Sequence, residues 1–277
     1  MYTQLEQRGI DTPPVNISTL RKMKAEKTPI ACLTAYDASF AVLVDKADTD
    51  LVLVGDSLGM VLQGHDTTVP VTVDDIIYHT KMVRRGLRRA FLVADMPFMS
   101  YTTPEQALEN AVRLMQEGGA MMIKLEGGSS QIEIVRHLTR HDIPVCAHIG
   151  LKPQSVHKIG GFKVQGRDSS QALQMIDDAI GLQDAGADIV LLECVPNEVG
   201  KAVARKVEVP VIGIGAGPDV DGQILVLYDA LGITQGRLPK FVQNFMESGS
   251  GSLAEGCVRY VQAVKNRSYP APEHCFS

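Results

Sequence analysis

A set of polar residues stands out by position. Thr34 and Tyr36, Asp56 and Ser57, Asp95, Lys124 and Glu126, His148, and Glu193 each close a short apolar run or follow it directly. Runs that only built a core would close on indifferent turn residues; runs that repeatedly close on hydroxyl or ionisable groups describe a convergent polar pocket. Asp56, Asp95 and Glu126 are carboxylates on neighbouring runs, and like charges brought together cannot all ionise comfortably without a cation. Oxygen ligands with room for water and substrate suit Mg²⁺ better than Zn²⁺. Any one of these acids alone would serve equally well as a helix cap; the set points to a metal. Glu193 sits between Ile-Val-Leu-Leu and Cys-Val-Pro, an apolar setting that favours a raised carboxyl pKa and so a general base. A salt bridge from Glu193 to Lys124 is its structural alternative. Lys124, inside Ile-Lys-Leu, is expected to point inward, to neutralise an enolate or a carboxylate or to balance the acids. His148 is a possible site contact, structural or catalytic.

The elements that must hold these groups repeat along the chain. Apolar runs at 30–35, 51–55, 91–95, 121–125, 143–148, 189–193 and 209–214, with a weaker one at 224–227, read as strands buried on both faces. Amphipathic stretches lie between them. Thr72 to Asp75 start one that reaches Arg85, Pro104 occupies a first helical position before 107–117, and 168–184 ends at Gly186. Eight strand–helix units without a composition break predict a single (β/α)₈ TIM barrel of the α/β class rather than a doubly wound sheet. The expected organisation is an N-terminal arm or extra helix over 1–28, the barrel over 29–265, and a surface tail over 266–277.

The spacing between the seventh and eighth runs is short for a parallel crossover. Either the eighth strand begins later or the connection holds one helical turn. Gly213 to Gly217 resembles a phosphate cradle, although glycines also admit any close backbone approach. The glycine-bounded segment 160–167 is a candidate lid. The Arg84, Arg85, Arg88 and Arg89 cluster reads as a solvated helix end, with an oligomer contact as the sharper alternative.

Composition narrows the classes. In 277 residues, 27 Lys and Arg against 32 Asp and Glu give a net charge of −5, which argues against nucleic-acid partners and a polybasic membrane dock. No apolar stretch is long enough for a membrane span and no secretory h-region opens the chain. With no Trp and 5% aromatics, binding on large stacking platforms is not expected. Five Cys without a Cys-x-x-Cys pair read as buried thiols of a cytoplasmic protein.

Together the motifs resemble one family. Val54-Gly-Asp-Ser-Leu-Gly59, Ala94-Asp-Met-Pro-Phe98, Lys124-Leu-Glu-Gly-Gly128, His148-Ile-Gly-Leu-Lys-Pro153, Val164-Gln-Gly-Arg167, Leu192-Glu-Cys-Val-Pro196 and Ile212-Gly-Ile-Gly-Ala-Gly217 are similar to those of 3-methyl-2-oxobutanoate (ketopantoate) hydroxymethyltransferases, from about Thr28 to Phe245. The resemblance implies a Mg²⁺-dependent barrel that moves a one-carbon unit from 5,10-methylenetetrahydrofolate to 3-methyl-2-oxobutanoate, giving 2-dehydropantoate. By motif, Asp56 and Asp95 resemble the metal-binding acids, with Glu126 a nearby or second-shell ligand. Asp56, Ser57, Asp95 and Lys124 resemble the groups that hold the oxoacid, and Glu193 resembles the proton acceptor. The family's assembly implies a homo-oligomer, a decamer of pentameric rings. Lys158-Ile159 and Ala147 depart from the family pattern and bear on the lid. A metal-dependent 2-oxoacid carbon–carbon lyase of the same barrel superfamily is the alternative; such lyases place a catalytic Cys after the fourth strand, where this chain has Glu126-Gly-Gly-Ser-Ser. A non-enzymatic barrel scaffold is a third reading, opposed by the intact acid set.

Overall fold

The computed structural model describes residues 13–246 and 251–277; the first part of the expected N-terminal arm lies outside the described residues. Eight parallel strands close into a barrel in sequence order: β1 (Ile30–Thr34), β2 (Leu51–Val54), β3 (Phe91–Asp95), β4 (Met122–Glu126), β5 (Val145–Gly150), β6 (Ile189–Glu193), β7 (Val211–Ile214) and β8 (Gly222–Leu225). Their residues are almost all buried, as apolar strands walled by helices must be.

The start signals read from sequence cap the helices. Thr72 and Asp75 form a capping box before Val73–Gly86, Thr103 caps Pro104–Gln116, and Asp168 caps Ser169–Asp184. The extra helix is Ile17–Ala25, opened by a capping box at Asn16. It lies across the end of the barrel where strands begin: Arg21 pairs with Asp188 at 2.7 Å and Lys24 with Asp221 at 2.7 Å, each just ahead of a strand.

Two expectations change. The eighth strand begins earlier than the apolar run suggested, at Gly222, and residues 215–221 contain no helix. The chain instead returns along the outside of β7, where the Asp221 carboxylate accepts from the Val211 amide at 2.8 Å and the Asp221 amide donates to the Val211 carbonyl at 2.9 Å. A dense return run needs no crossover helix, so the alternation of strands and helices breaks at this one place. The C-terminal segment is also not a surface tail. Tyr269 and Cys275 are buried, and Asn197 N donates to the Phe276 carbonyl at 3.0 Å, beside the loop that follows β6.

The β1–β8 seam closes the cylinder. Gly222 is needed there because a Cβ would stand 2.5 Å from the Ile30 carbonyl. Tyr260, on helix Leu253–Lys265, places its hydroxyl 2.7 Å from the Cys32 carbonyl on β1 and 2.9 Å from the Gln223 carbonyl on β8. Its single proton serves these two acceptors. Tyr260→Phe should lower the unfolding free energy by about 1–3 kcal/mol, as for a buried acceptor left without its donor. Activity per folded molecule should be preserved. Urea unfolding checks this, and an unchanged midpoint would rule out the seam as a stability determinant.

Candidate active site

Strand alternation accounts for the site. Val93, Lys124, Cys146 and Leu191 line the inside of the barrel. Two residues further along each strand, on the same face and one layer closer to the mouth, stand Asp95, Glu126, His148 and Glu193. Register sets them side by side, with Asp95 beside Lys124 and Glu126 beside His148. Asp56 lies beyond the end of β2 and is drawn in by its amide, which donates to Asp95 Oδ2 at 3.1 Å.

Lys124 lies inward, as expected. Its Nζ is 2.9 Å from Asp95 Oδ1 and 3.9 Å from Glu126 Oε1. Burial alone would push the Lys124 ammonium down, but Asp95, Glu126 and Asp56 hold it above its ordinary value, so it stays charged. Burial, with Asp95 and Glu126 close by, pushes the Asp56 carboxyl well above the usual range. Asp95 is raised by burial despite the opposing Lys124 charge. Burial pushes Glu126 up as well, yet His148, Lys124 and a backbone amide outweigh it and hold it low.

His148 bridges two acids. Nδ1 is 3.4 Å from Glu126 Oε1 and Nε2 is 3.2 Å from Glu193 Oε2. Burial and the Lys124 charge, whose Nζ is 3.3 Å from Nδ1, push the ring down; the two carboxylates win and raise it to about 9. The ring is therefore cationic at neutral pH. Glu193 does not pair with Lys124, the structural alternative read from sequence; its partner is His148. The contact depends on Gly150, paired with Glu193 in the ladder, because a Cβ there would stand 2.3 Å from the Glu193 carbonyl. Glu193 keeps 15% side-chain exposure against 1% for Asp95, so it faces the open mouth.

Other candidates fall into supporting places. Tyr36 hydroxyl and Ser57 Oγ share a hydrogen bond of 2.9 Å beside Asp56. Thr34 shares the inward face with its ladder partner Leu53, but its Oγ1 is engaged, accepting from the Leu227 amide at 2.9 Å. The Gly213–Gly217 loop is filled by its own chain, since a Cβ at Gly215 would meet the Phe241 and Phe276 rings. The candidate lid is tied down: Gln165 N donates to the Cys194 carbonyl at 2.9 Å and Arg167 Nε to the Ser277 carbonyl at 3.3 Å. In the basic cluster, Arg89 turns in to pair with buried Asp50 at 2.9 Å.

Sequence reasoning missed Gln154 and Tyr101. Gln154 sits in the turn Pro153–Ser155 after β5 and is buried among the acids. Its Nε2 donates to Asp56 Oδ2 and to the Met96 carbonyl, both at 2.9 Å, and its amide donates to Glu126 Oε2 at 3.1 Å. Tyr101 hydroxyl donates to Gln154 Oε1 at 2.5 Å. No run or charge pattern marks a neutral amide in a turn; its closeness to the Lys152-Pro153 motif end was the one available signal.

The donor set suits a hard divalent cation. Asp95 Oδ1 and Glu126 Oε1 are buried with no aligned hydrogen-bond donor, and Asp56 is crowded by both neighbouring acids. A divalent ion would favour the ionised form of the raised Asp56 and Asp95 carboxyls, which burial alone disfavours. Among the described residues no three His, Cys, Asp or Glu side chains are gathered closely enough to hold an ion alone. The remaining positions would go to water and substrate oxygens, the pattern Mg²⁺ favours.

The family profile and the sequence relatives agree on one group. A family profile described as ketopantoate hydroxymethyltransferase matches residues 14–272. The 3-methyl-2-oxobutanoate hydroxymethyltransferase of Alkalilimnicola ehrlichii is 57% identical over 263 residues, covering 95% of each chain. That of a Marinomonas species is 53% identical over 276 residues, covering 100% of this chain and 99% of its own. Among solved structures, oxaloacetate acetylhydrolase bound to 3,3-difluorooxalacetate aligns with a TM-score of 0.58 at 15% identity, covering 95% of this chain and all of its own. At that identity the likeness speaks to the fold alone.

Proposed function

The chain belongs to the ketopantoate hydroxymethyltransferase family, and on that premise we propose how its strand-end residues divide the reaction. It is a 3-methyl-2-oxobutanoate hydroxymethyltransferase, acting in pantothenate biosynthesis. The one-carbon donor in this reading is 5,10-methylenetetrahydrofolate and the product is 2-dehydropantoate. Asp56 and Asp95 would hold Mg²⁺; Glu126, already engaged by His148 and the Gln154 amide, supports them from behind. A divalent cation bound there supplies the electron withdrawal that makes the C3 proton of the oxoacid acidic. Lys124 offers a buried positive charge to the oxoacid, and Ser57 a hydroxyl oriented by Tyr36. Glu193 accepts the C3 proton: His148 stands 3.2 Å from its Oε2, and the side chain keeps 15% exposure at the mouth. The observation that carries this division is the placing of one mouth-facing carboxylate beside a set of fully buried ones.

The same reading extends to a homo-oligomer, the family's decamer, in the cytoplasm. Five buried free thiols accord with a reducing compartment. Among the described residues no helix is long and apolar enough to cross a membrane. A metal-dependent lyase finds no support in the loop after β4, where Gly127 to Ser130 contain no thiol.

The test is product formation by purified protein from 3-methyl-2-oxobutanoate and methylenetetrahydrofolate, with and without Mg²⁺. Turnover should require the cation, and turnover undiminished by a chelator would remove the metal from the reading. The pH dependence has a definite sign. Asp56 carries a raised pKa without metal, so protons compete with Mg²⁺ at low pH and affinity should improve as pH rises. Calorimetry in buffers of different ionisation heat should record a proton released on binding.

A further inference from the structure

We infer that Gln154 is a positioning residue for the cation site, fixing with its side chain which oxygen of Asp56 remains available and holding Glu126 behind it with its backbone amide. The inference rests on the reading that Asp56 and Asp95 hold Mg²⁺. Gln154 reaches the ends of three other strands from the turn after β5. Its side chain joins Asp56 beyond β2 to the Met96 carbonyl, the residue after Asp95, and its backbone amide holds Glu126 at the end of β4.

Chemistry fixes the amide's orientation. One acceptor at Nε2 is the Met96 carbonyl, an oxygen that never has a proton to give, so the NH₂ group must face it and Asp56 beside it. Oε1 then meets the Tyr101 hydroxyl at 2.5 Å, and that hydroxyl accepts in turn from the Glu126 amide at 3.3 Å. Every polar atom of the Gln154 side chain is therefore used. Gln154 occupies Oδ2 of Asp56 and Oε2 of Glu126 and adds no charge of its own. A charged residue here would pair with the acids and compete with the metal. Glu126 Oε1 and Asp95 Oδ1, the oxygens that remain buried without an aligned donor, lie on the same side, facing Lys124.

The experiment is calorimetric Mg²⁺ titration of wild type, Gln154→Met, Tyr101→Phe and Asp95→Asn without substrate, with thermal unfolding of each in the absence of metal. Gln154→Met keeps the volume and removes the side-chain donors to Asp56 and Met96 while leaving the backbone amide on Glu126; the lost hydrogen bond to a carboxylate predicts about a tenfold weaker Mg²⁺ affinity. Tyr101→Phe frees the amide to turn and should weaken binding in the same direction by a smaller factor. A purely packing role would lower the thermal midpoint and leave the affinity unchanged, and that result overturns the inference. If Gln154→Met fails to fold, wild-type affinity in Tyr101→Phe overturns it. Asp95→Asn separates the two readings. Strong weakening there with none in Gln154→Met or Tyr101→Phe defeats the role of Gln154 alone. Unchanged affinity in Asp95→Asn, or no Mg²⁺ uptake by wild type, defeats the metal assignment and the inference with it.

Discussion

Glu193→Gln should abolish exchange of the C3 proton of 3-methyl-2-oxobutanoate with solvent while Mg²⁺ still binds. The two effects separate because Glu193 stands apart from the acid cluster. Its contact is with His148 at 3.2 Å, and its side chain is open to the mouth, whereas Asp56, Asp95 and Glu126 are buried. Glutamine keeps the shape and an oxygen for His148 but cannot take a proton. Loss of a positioned general base typically removes about 10²–10⁴-fold of rate. Proton exchange in D₂O, followed by NMR, reads the step before any one-carbon unit is involved. Exchange at the wild-type rate would take the base role away from Glu193.

Lys124→Met should make the stability of the protein depend on Mg²⁺. The ammonium lies 2.9 Å from Asp95 and within 3.9 Å of Glu126, and all three groups are buried. Removing one partner of a buried pair leaves an uncompensated charge, at a cost of about 3–5 kcal/mol. A divalent ion entering the same acids would replace the lost charge, and binding to the folded state alone raises its stability. The variant should therefore unfold at lower urea without Mg²⁺, recover much of the difference with it, and bind Mg²⁺ more tightly than wild type. Oxoacid affinity should fall in parallel, since the buried positive charge offered to the substrate is gone. Equal urea midpoints with and without Mg²⁺ would contradict this account.

Much of the site was legible because barrel strands change character at one end only. An apolar run that stops on Asp95 or on Glu126 exposes a side chain to the mouth, and the two-residue repeat then fixes Lys124 as inward. Helix starts at Thr72, Thr103 and Asp168 were legible because capping chemistry is local. What escaped depends on contacts far apart in the chain. Gln154 meets Asp56 across 98 residues, and nothing in its own turn encodes that. The structural alternative for Glu193, a pair with Lys124, does not form because β6 lies next to β5, which brings His148 rather than the β4 lysine beside it. Thr34 has the position and the inward face, but its hydroxyl is taken up by the Leu227 amide, a contact made across 193 residues. The eighth strand was displaced because its first residues, Gly222 and Gln223, are not apolar, although the seam requires a glycine there.

The Tyr260 contact across the seam has a consequence for biosynthesis. Its partner carbonyl on β1 lies 228 residues earlier in the chain. At about 5–20 residues per second, a ribosome needs roughly 10–50 s to travel between them. For most of that interval, until Gly222–Leu225 is made, β1 has an open edge on the side that β8 will occupy, and an unpaired strand edge invites pairing with other chains. Yield on rapid overexpression should thus be governed by how well the nascent sheet is shielded before its last helix emerges, with slower synthesis or added chaperone favouring closed barrels over aggregates.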